Sequence, residues 1–195
     1  MSYVGLTNLS NRGTPHLGGN IKEGDPFTFA PSVWSYLIER LCLKSVLDLG
    51  SGLGHASEYF FCRGLRVLAI EGEPSNVANS LYPALHFDLT RGSVQARVDL
   101  VHCQEVVEHI EERYLDNLLA SMCSGRFILM TNALPGQGGH HHVNEQPTEY
   151  WIHHLAEHGC QVMVEDTRRI RKLAAVDGAT YLAQTGLLLA NTRRA

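Results

Sequence analysis

The sequence predicts an α/β fold in which a mainly parallel sheet is covered by helices on both faces. Three observations predict it. From residue 45 onward, short apolar runs of strand length alternate with segments of helical periodicity. The segments between these runs are long enough for the helical crossovers that parallel strands require. Glycines or acidic residues follow the first runs, as expected where strands end at a ligand-binding edge.

The helices and strands follow one another in a regular order. Pro31 suits a first helical turn, and the apolar residues after it recur at helical spacing. The predicted helices cover residues 31–43, 53–62, a short segment from 74, 110–122 and 147–158. The predicted strands cover residues 45–49, 66–71, 85–89, 98–104, 126–131, 161–165 and 181–191. Gly64 and Gly159 stand where two of the helices would end.

The length and composition favour one domain with a substantial core. The chain has 195 residues, of which 44% are hydrophobic and 18% are charged. At about 150 residues per domain, a second domain has little room. We therefore divide the chain into an extended lead-in, residues 1–30, and a single domain, residues 31–195. The lead-in is rich in Gly, Asn, Thr and Pro, which is typical of loops.

Charge and hydropathy exclude several classes of protein. Lys and Arg number 16 against 20 Asp and Glu, so the formal net charge is −4. A mildly acidic chain disfavours a protein that grips nucleic acid through a basic surface, but it does not exclude recognition of a nucleic-acid end. No apolar run reaches the ~18 residues that span a bilayer, and no signal peptide is visible. We expect a cytoplasmic protein without membrane contact, whose five cysteines are reduced, buried thiols.

A glycine-rich turn follows the first predicted strand. Its residues are Asp48-Leu49-Gly50-Ser51-Gly52-Leu53-Gly54. Glycines let the backbone turn tightly, approach a ligand closely and aim helix N–H groups at it. A dinucleotide-binding turn would need a small residue where His55 stands, and the Walker phosphate-binding pattern is absent. The turn therefore predicts a ligand site of another kind.

Acidic residues follow the next two strands. Glu71 ends the second strand, where a carboxylate can accept hydrogen bonds from both hydroxyls of a ribose. Asp88 follows the third strand, within reach of an adenine amino group. The glycine turn and the two acids together indicate a site for a nucleoside-containing ligand.

With these residues the chain resembles the class I S-adenosylmethionine-dependent methyltransferases of the small-molecule type. Residues 48–54 match the first motif of that family, and residues 104–109, Gln-Glu-Val-Val-Glu-His, are similar to its Glu-Val-x-Glu-His stretch. The resemblance covers residues 45–191 and implies a Rossmann-like, mainly parallel seven-stranded sheet with an antiparallel final strand. It implies S-adenosyl-L-methionine as cofactor and a small-molecule or sugar-like acceptor, with O-methylation preferred. The implied cofactor-binding residues are Asp48, Gly50, Ser51, Gly52, Gly54, Glu71, Gly72, Asp88, Leu89 and Gln104.

Methyl transfer requires an acceptor placed about 3 to 3.5 Å from the methyl group, and a base only where the acceptor must lose a proton. The candidate catalytic residues are Glu105, Glu108, His109 and His142. His109 suits the role because imidazole has the pKa range of a base and the residue follows the fourth strand. The glycine-rich residues 136–139 and the histidines 140–142 predict a substrate lid, with a His-rich surface loop as the alternative.

Two other functions stay open. Glu105, Glu108 and His109 resemble the Glu-x-x-Glu-His motif of methyltransferases that modify the terminal ribose 2′-hydroxyl of small RNAs, where these residues and a later histidine hold a divalent cation. Here His140 or His142 would be the later ligand. The metal is not favoured, because the intervening segment is short and no basic surface for an RNA duplex is evident. The other alternative is a non-catalytic nucleotide-binding partner subunit.

Several remaining residues receive structural interpretations. Tyr150 and Trp151 are predicted to be core residues of their helix, and Asp99 and Asp166 to be structural. A basic cluster is interpreted as a charged connection, or alternatively as a site for an acidic substrate. Its members are Arg168, Arg169, Arg171 and Lys172.

Overall fold

The computed structural model describes residues 14–17 and 23–194 and contains a seven-stranded sheet. The strands are β1 (Ser45–Leu49), β2 (Arg66–Glu71), β3 (Ala84–His86), β4 (Val98–Cys103), β5 (Gly125–Met130), β6 (Cys160–Val162) and β7 (Leu187–Asn191). The helices are α1 (Pro31–Leu41), α2 (His55–Cys62), α3 (Pro74–Asn79), α4 (Leu115–Met122), α5 (Thr148–Glu157), α6 (Val164–Asp177) and α7 (Thr180–Thr185). Most of the predicted lead-in, residues 1–13 and 18–22, lies outside the described residues.

The sheet has the order β3-β2-β1-β4-β5-β7-β6. Strand β7 pairs antiparallel with β5 and β6, and the other pairs are parallel. The predicted fold class, a mainly parallel seven-stranded sheet with an antiparallel final strand, is confirmed. The chain order reverses between β1 and β4, so the connections that leave the carboxyl ends of these paired strands run in opposite directions and leave a crevice for a ligand.

Alternate residues of the central strands face two hydrophobic cores, as the pleat of a strand requires. Leu47 and Leu49 of β1 face a core that includes α4 and α5, with Trp151 fully buried. Val46 faces the opposite core, where α1, α2, α6 and α7 pack. The predictions of helices on both faces and of a buried Trp151 are confirmed. No helix of the described residues is long and apolar enough to cross a membrane.

The prediction of a helix over residues 110–122 is wrong in its first turn, because α4 begins at Leu115. Before it lies a 3-10 turn, Glu112–Tyr114. The side-chain amide of Asn144 donates to the Ile110 carbonyl at 3.2 Å, which gives that carbonyl a partner outside any helix. The contact comes from a distant segment and leaves no local signal.

The predicted third strand, residues 85–89, also differs from the structure. Strand β3 begins at Ala84 and ends at His86. The Asp88 side chain then accepts from the Thr90 N–H at 2.8 Å and starts a 3-10 turn, Leu89–Arg91. An acidic side chain that caps a turn competes with the extended backbone of a strand.

The last two predicted strands are corrected most. Residues 161–165 contain the end of β6 and the start of α6, and residues 181–186 belong to α7 and its end rather than to β7. The basic cluster 168–172 therefore lies on a helix, not in a connection; Ile170 and Ala174 of that helix are fully buried. Gly186 allows the turn into β7, since a Cβ there would lie 2.4 Å from the Leu182 carbonyl oxygen.

Asp99 and Asp166 hold elements together, as their structural interpretation predicts. Asp99 accepts from the Lys44 and Ser45 N–H groups at the start of β1, at 2.8 and 3.0 Å. Asp166 accepts from the Tyr36 hydroxyl at 2.6 Å and thereby joins α6 to α1. All five cysteines are free thiols, but only Cys103 and Cys160 are buried as predicted; Cys123 is half-buried, and Cys42 and Cys62 are exposed. The division at residue 30 remains a prediction.

Candidate functional site

The glycine turn joins β1 to α2 at the point where the strand order reverses. Gly50, Gly52 and Gly54 have φ of 68°, 55° and 79°, in the left-handed region that favours glycine. The Gly50 N–H donates to the Ile70 carbonyl at 2.9 Å and ties the turn to β2. A Cβ at Gly50 would lie 2.4 Å from Cγ2 of Val106, whereas a Cβ at Gly52 would meet nothing within 4 Å. The turn therefore has no room for a side chain at Gly50, whereas at Gly52 it is open, with free space beside the backbone.

Glu71 lies at the end of β2 and contacts the turn. Its Oε2 accepts from the Gly52 N–H and its Oε1 from the Glu73 N–H, both at 2.7 Å. Burial raises the pKa of the Glu71 carboxyl, although these backbone N–H groups act in the opposite direction. The Asn76 side chain and the Gly72 N–H also act as donors to this carboxylate. Because each carboxylate oxygen has two lone-pair positions, a ligand hydroxyl can bond to Glu71 beside these donors or in place of the Asn76 amide.

Asp48 lies beneath the turn and is 1% exposed. One oxygen accepts from the Ser57 hydroxyl at 2.6 Å, and the other lies 2.7 Å from Nδ1 of His102. Ser57 is on α2 and His102 is on β4. Asp48 was predicted to bind the cofactor; it borders the cleft described below, but its carboxylate bonds join β1 to its neighbours. Its geometry supports a role in holding the turn.

Asp88 contacts the described part of the lead-in. Its Oδ1, which caps the turn after β3, also lies 3.1 Å from Nε2 of His16. The next residue, Leu17, packs on Gly72, where a Cβ would lie 2.4 Å from the Leu17 Cδ2. His16 and Leu17 thus border residues that the sequence assigns to the adenosine end of the ligand. Sequence reasoning missed them, because a loop-forming composition does not indicate what the loop covers.

Glu105 follows β4 and has an unusual backbone. Its φ of 54° is positive, although it is not a glycine, and such a conformation costs energy that the surroundings must supply. Thr131 supplies two contacts: its hydroxyl donates to Glu105 Oε1 at 2.8 Å and accepts from the Glu105 N–H at 2.8 Å. Burial raises the pKa of Glu105 to about 7, and the nearby Asp25 charge acts in the same direction.

Glu108, fully buried, and His109, half-buried, lie one turn further on. No N–H or O–H of the described residues donates to either carboxylate oxygen of Glu108. Burial and the Glu105 charge raise the pKa of Glu108 well above its ordinary value. Burial, together with the neighbouring His142, lowers the pKa of His109 to about 3, and its Nδ1 lacks a partner within the described chain. Without a further ligand, burial favours the protonated form of Glu108, and His109 is neutral at pH 7.

The His-rich loop places His142 beside Glu108 and His109. The rings of His109 and His142 are 5.0 Å apart, centroid to centroid. Nδ1 of His142 lies 3.2 Å from Oε1 of Glu145. Nε2 of His140 lies 3.1 Å from the Pro15 carbonyl, so the loop also meets the lead-in. Glu145 was not among the predicted site residues, although a carboxylate three residues after a histidine is a signal that could have found it.

Glu108, His109 and His142 also form a cluster with the donor types of a metal site. One side-chain ligand atom from each lies within 4.8 Å of the others. The orphaned oxygens of Glu108 and the orphaned Nδ1 of His109 fit a cation, since a buried carboxylate either takes a proton or a positive partner. Glu105, the fourth predicted ligand, is not part of this cluster. His140 is not part of it either.

The predicted residues converge on one cleft of about 830 Å³. Five orphaned polar atoms belong to residues that line it. They are Nε1 of Trp34, the hydroxyl of Ser51, Nε2 of His102, Oε1 of Gln104 and Nδ1 of His109, all buried without a partner in the described part of the chain. The predicted site residues that line the cleft are Asp48, Gly50, Ser51, Gly52, Glu71, Gly72, Asp88, Leu89, Gln104, Glu105, His109 and His142. Gly54 and Glu108 do not line it, and neither do the basic residues of α6.

Comparisons with known proteins bear on the fold. No protein-family model matches the chain, and no curated protein matches it. Magnesium protoporphyrin IX methyltransferase from Synechocystis PCC 6803, solved with bound SAM, is 18% identical over 68% of each chain, with a TM-score of 0.56. The methyltransferase domain of bacterial CtHen1 is 16% identical over 68% of this chain and 85% of its own, with a TM-score of 0.52.

A third similar structure is the cyclase SpnF. It is 11% identical over 83% of this chain and 80% of its own, with a TM-score of 0.56. These TM-scores, all above 0.5, show a shared fold. Because the fold serves proteins named as methyltransferases and one named as a cyclase, the chemistry of this chain must be argued from its own site.

Proposed function

We propose that the chain is an S-adenosylmethionine-dependent methyltransferase that acts on a small-molecule or sugar-like acceptor, preferably at a hydroxyl oxygen. The observation that carries the proposal is the bond between Glu71 and the Gly52 N–H at the point where the strand order reverses. It places an acceptor for ribose hydroxyls against a glycine turn that is open at Gly52. The methyltransferases among the similar structures support the assignment, and the proposed location is the cytoplasm.

The residues present fit this cofactor. Glu71 has acceptor positions left for the ribose, and Asp88 and Leu89 border the region assigned to adenine. The orphaned Ser51 hydroxyl can donate to a carboxylate, and the orphaned Oε1 of Gln104 can accept from an ammonium group. These are the two charged groups of a methionine end. When bound, S-adenosylmethionine supplies a methyl group made electrophilic by a sulfonium.

The candidate acid–base residues follow Gln104 in the chain. His109 is a poor base near pH 7, because burial lowers its pKa to about 3. Glu105, with its pKa raised to about 7, and His142 are the better groups to take the proton of a hydroxyl. Both line the cleft. The preference for His109 over the other three candidates is therefore replaced by a preference for Glu105 and His142.

Isothermal titration with S-adenosylhomocysteine and with NAD tests the proposal. We expect binding of S-adenosylhomocysteine and none of NAD; the reverse order would contradict the nucleotide assignment. Methyl transfer is then followed by mass spectrometry with S-adenosylmethionine and a panel of sugars and hydroxylated small molecules. Cofactor binding without transfer to any of them would favour the non-catalytic partner subunit.

A second candidate is the metal-assisted RNA 2′-O-methyltransferase, and the cluster of Glu108, His109 and His142 favours it. A divalent cation would keep Glu108 ionised and would give its orphaned oxygens a partner. Titration with Mn²⁺ tests the site, with Glu108→Gln as the variant that should lose binding and Glu149→Gln, an exposed residue on α5, as the control. Methyl transfer to RNA with free 3′ ends that survives a chelator would remove this candidate.

A further inference from the structure

Glu145 is hydrogen-bonded to the backbone of the His-rich loop, residues 136–142. Its Oε1 accepts from the Gly138 N–H at 2.6 Å, and its Oε2 accepts from the Gly136 N–H at 2.7 Å. Oε1 also lies 3.2 Å from Nδ1 of His142. Gly136 and Gly138 have φ of 82° and 69°, in the left-handed region. The loop thus curls around one carboxylate, with two glycines in conformations that allow their N–H groups to reach it.

The loop is fitted closely to the His142 ring. A Cβ at Gly139 would lie 2.4 Å from Nε2 of His142, so the ring packs directly against this glycine. The side chain of His142 is 10% exposed and that of Glu145 is 17% exposed. A contact so well shielded from water has a defined geometry and is not a pairing of mobile surface groups.

The other end of the loop is anchored to the candidate catalytic segment. The N–H groups of Val143 and Asn144 both donate to the Glu108 carbonyl, at 3.0 and 3.1 Å. The Asn144 side chain adds its bond to Ile110. Glu145 and the Glu108 backbone therefore hold the residues on either side of His142, and together they fix where the ring stands beside His109.

The charge of Glu145 determines which nitrogen of His142 carries the proton. Both oxygens of Glu145 accept backbone N–H bonds, Oε1 from Gly138 and Oε2 from Gly136, which is the arrangement that an ionised carboxylate satisfies. An ionised carboxylate only accepts hydrogen bonds, so the facing Nδ1 of His142 must carry a proton. In a neutral imidazole, Nε2 then holds the free lone pair.

We propose that Glu145 is a positioning residue, which holds His142 in the cleft with Nδ1 protonated and the Nε2 lone pair free for an acceptor proton. The use of that lone pair rests on the proposed function, whereas the tautomer and the loop geometry do not. Carboxylates that orient a histidine in this way fix both its tautomer and its direction.

Long-range proton–nitrogen correlation NMR of the histidine rings tests the proposal in the full chain, without cofactor or acceptor. The His142 signals are assigned by their loss in His142→Gln. In the wild-type protein at pH 8 we expect the signature of a ring protonated at Nδ1. Glu145→Gln presents an amide N–H₂ to the ring, so we expect loss of that signature and a shift to the form protonated at Nε2. Glu149→Gln, on the exposed face of α5, is the matched control and should leave the signature unchanged.

Two results would overturn the proposal. One is a wild-type His142 protonated mainly at Nε2, and the other is an unchanged Nδ1–H signature in Glu145→Gln. S-adenosylhomocysteine binding, measured on the same samples, tests the proposed function separately. If the wild-type protein does not bind this ligand, the proposed function fails, but the tautomer of His142 is unaffected.

Discussion

The Glu71 carboxylate accepts a hydrogen bond from the Gly52 N–H at 2.7 Å and thereby joins the end of β2 to the turn after β1. The bond links the two features on which the proposed cofactor site depends. A ligand that bridges Glu71 and the open side of Gly52 would sit across the carboxyl ends of both strands. The contact also keeps a carboxylate in a buried position, where its charge is available to a ligand that brings hydroxyl groups.

Glu71→Gln should weaken S-adenosylhomocysteine binding by at least tenfold. Hydrogen bonds to charged groups contribute about 1.5–3 kcal/mol, and glutamine has one acceptor oxygen where glutamate has two. Burial raises the pKa of Glu71. As the pH falls, binding to the wild type should therefore weaken at a higher pH than the one at which an ordinary glutamate is protonated. Titration calorimetry across pH measures both effects. An affinity that is equal in wild type and Glu71→Gln would remove Glu71 from the site, and Glu149→Gln controls for charge.

Alanine at Gly50 and alanine at Gly52 should give different defects. At Gly50 the new Cβ would lie 2.4 Å from Cγ2 of Val106, so we expect a loss of ~1–3 kcal/mol in the free energy of unfolding. At Gly52 the Cβ meets open space, so the cost is the ~1 kcal/mol of a left-handed residue, but the methyl group enters the cleft. Urea unfolding and S-adenosylhomocysteine titration separate the two. Equal binding by Gly52→Ala and wild type would place the ligand elsewhere.

Asp48→Asn should lower the free energy of unfolding rather than affect cofactor affinity alone. Removal of one charge from a buried, hydrogen-bonded pair typically costs ~3–5 kcal/mol, and Asp48 is bonded to both Ser57 and His102. Ser57→Ala, which removes one partner, should cost about 1 kcal/mol. Both values follow from denaturant unfolding. A stable Asp48→Asn protein that has lost only cofactor affinity would instead show direct contact with the ligand.

Asp99 should make the protein sensitive to acid. Although burial acts to raise its pKa, bonds from Lys44, Ser45 and Arg126 outweigh it and lower the pKa. A carboxyl whose pKa is lower when folded contributes stability above its unfolded pKa of about 3.9. That contribution is lost as the pH falls through the folded pKa. Thermal unfolding from pH 7 to pH 2 should therefore show a smaller acid-induced decrease in Asp99→Ala than in wild type; parallel curves would contradict the assignment.

Local signals predicted the elements whose limits are set locally. Strands β1 and β2 have the predicted bounds, because an apolar run ends at glycine or at an acidic residue in each case. Two predictions were wrong in part: the first turn of the helix predicted over 110–122, and residues 181–186 of the strand predicted over 181–191. There, a contact from Asn144 and the packing of α7 decide the structure.

The candidate site divides in the same way. Residues at strand ends could be found from sequence, since parallel strands bring their carboxyl ends to one edge of the sheet. Asp48 could be placed at that edge, but not its two buried partners, since Ser57 and His102 carry no motif. Glu145 and His16 act through bonds to a loop and to a residue 72 positions away. Such contacts depend on the folded path of the chain.

His16 leads to a final prediction about the lead-in. It pairs with Asp88, and its neighbour Leu17 packs on Gly72, so this short segment covers the region assigned to adenosine. We expect His16→Ala to speed S-adenosylhomocysteine dissociation several-fold, because a cover that is held less firmly opens more often. Stopped-flow displacement measures the rate. In a double-mutant cycle with Asp88→Asn the two effects should be less than additive, since both changes break one contact. If S-adenosylhomocysteine instead dissociated more slowly from His16→Ala than from wild type, the segment with His16 and Leu17 would compete with the ligand and would not cover it.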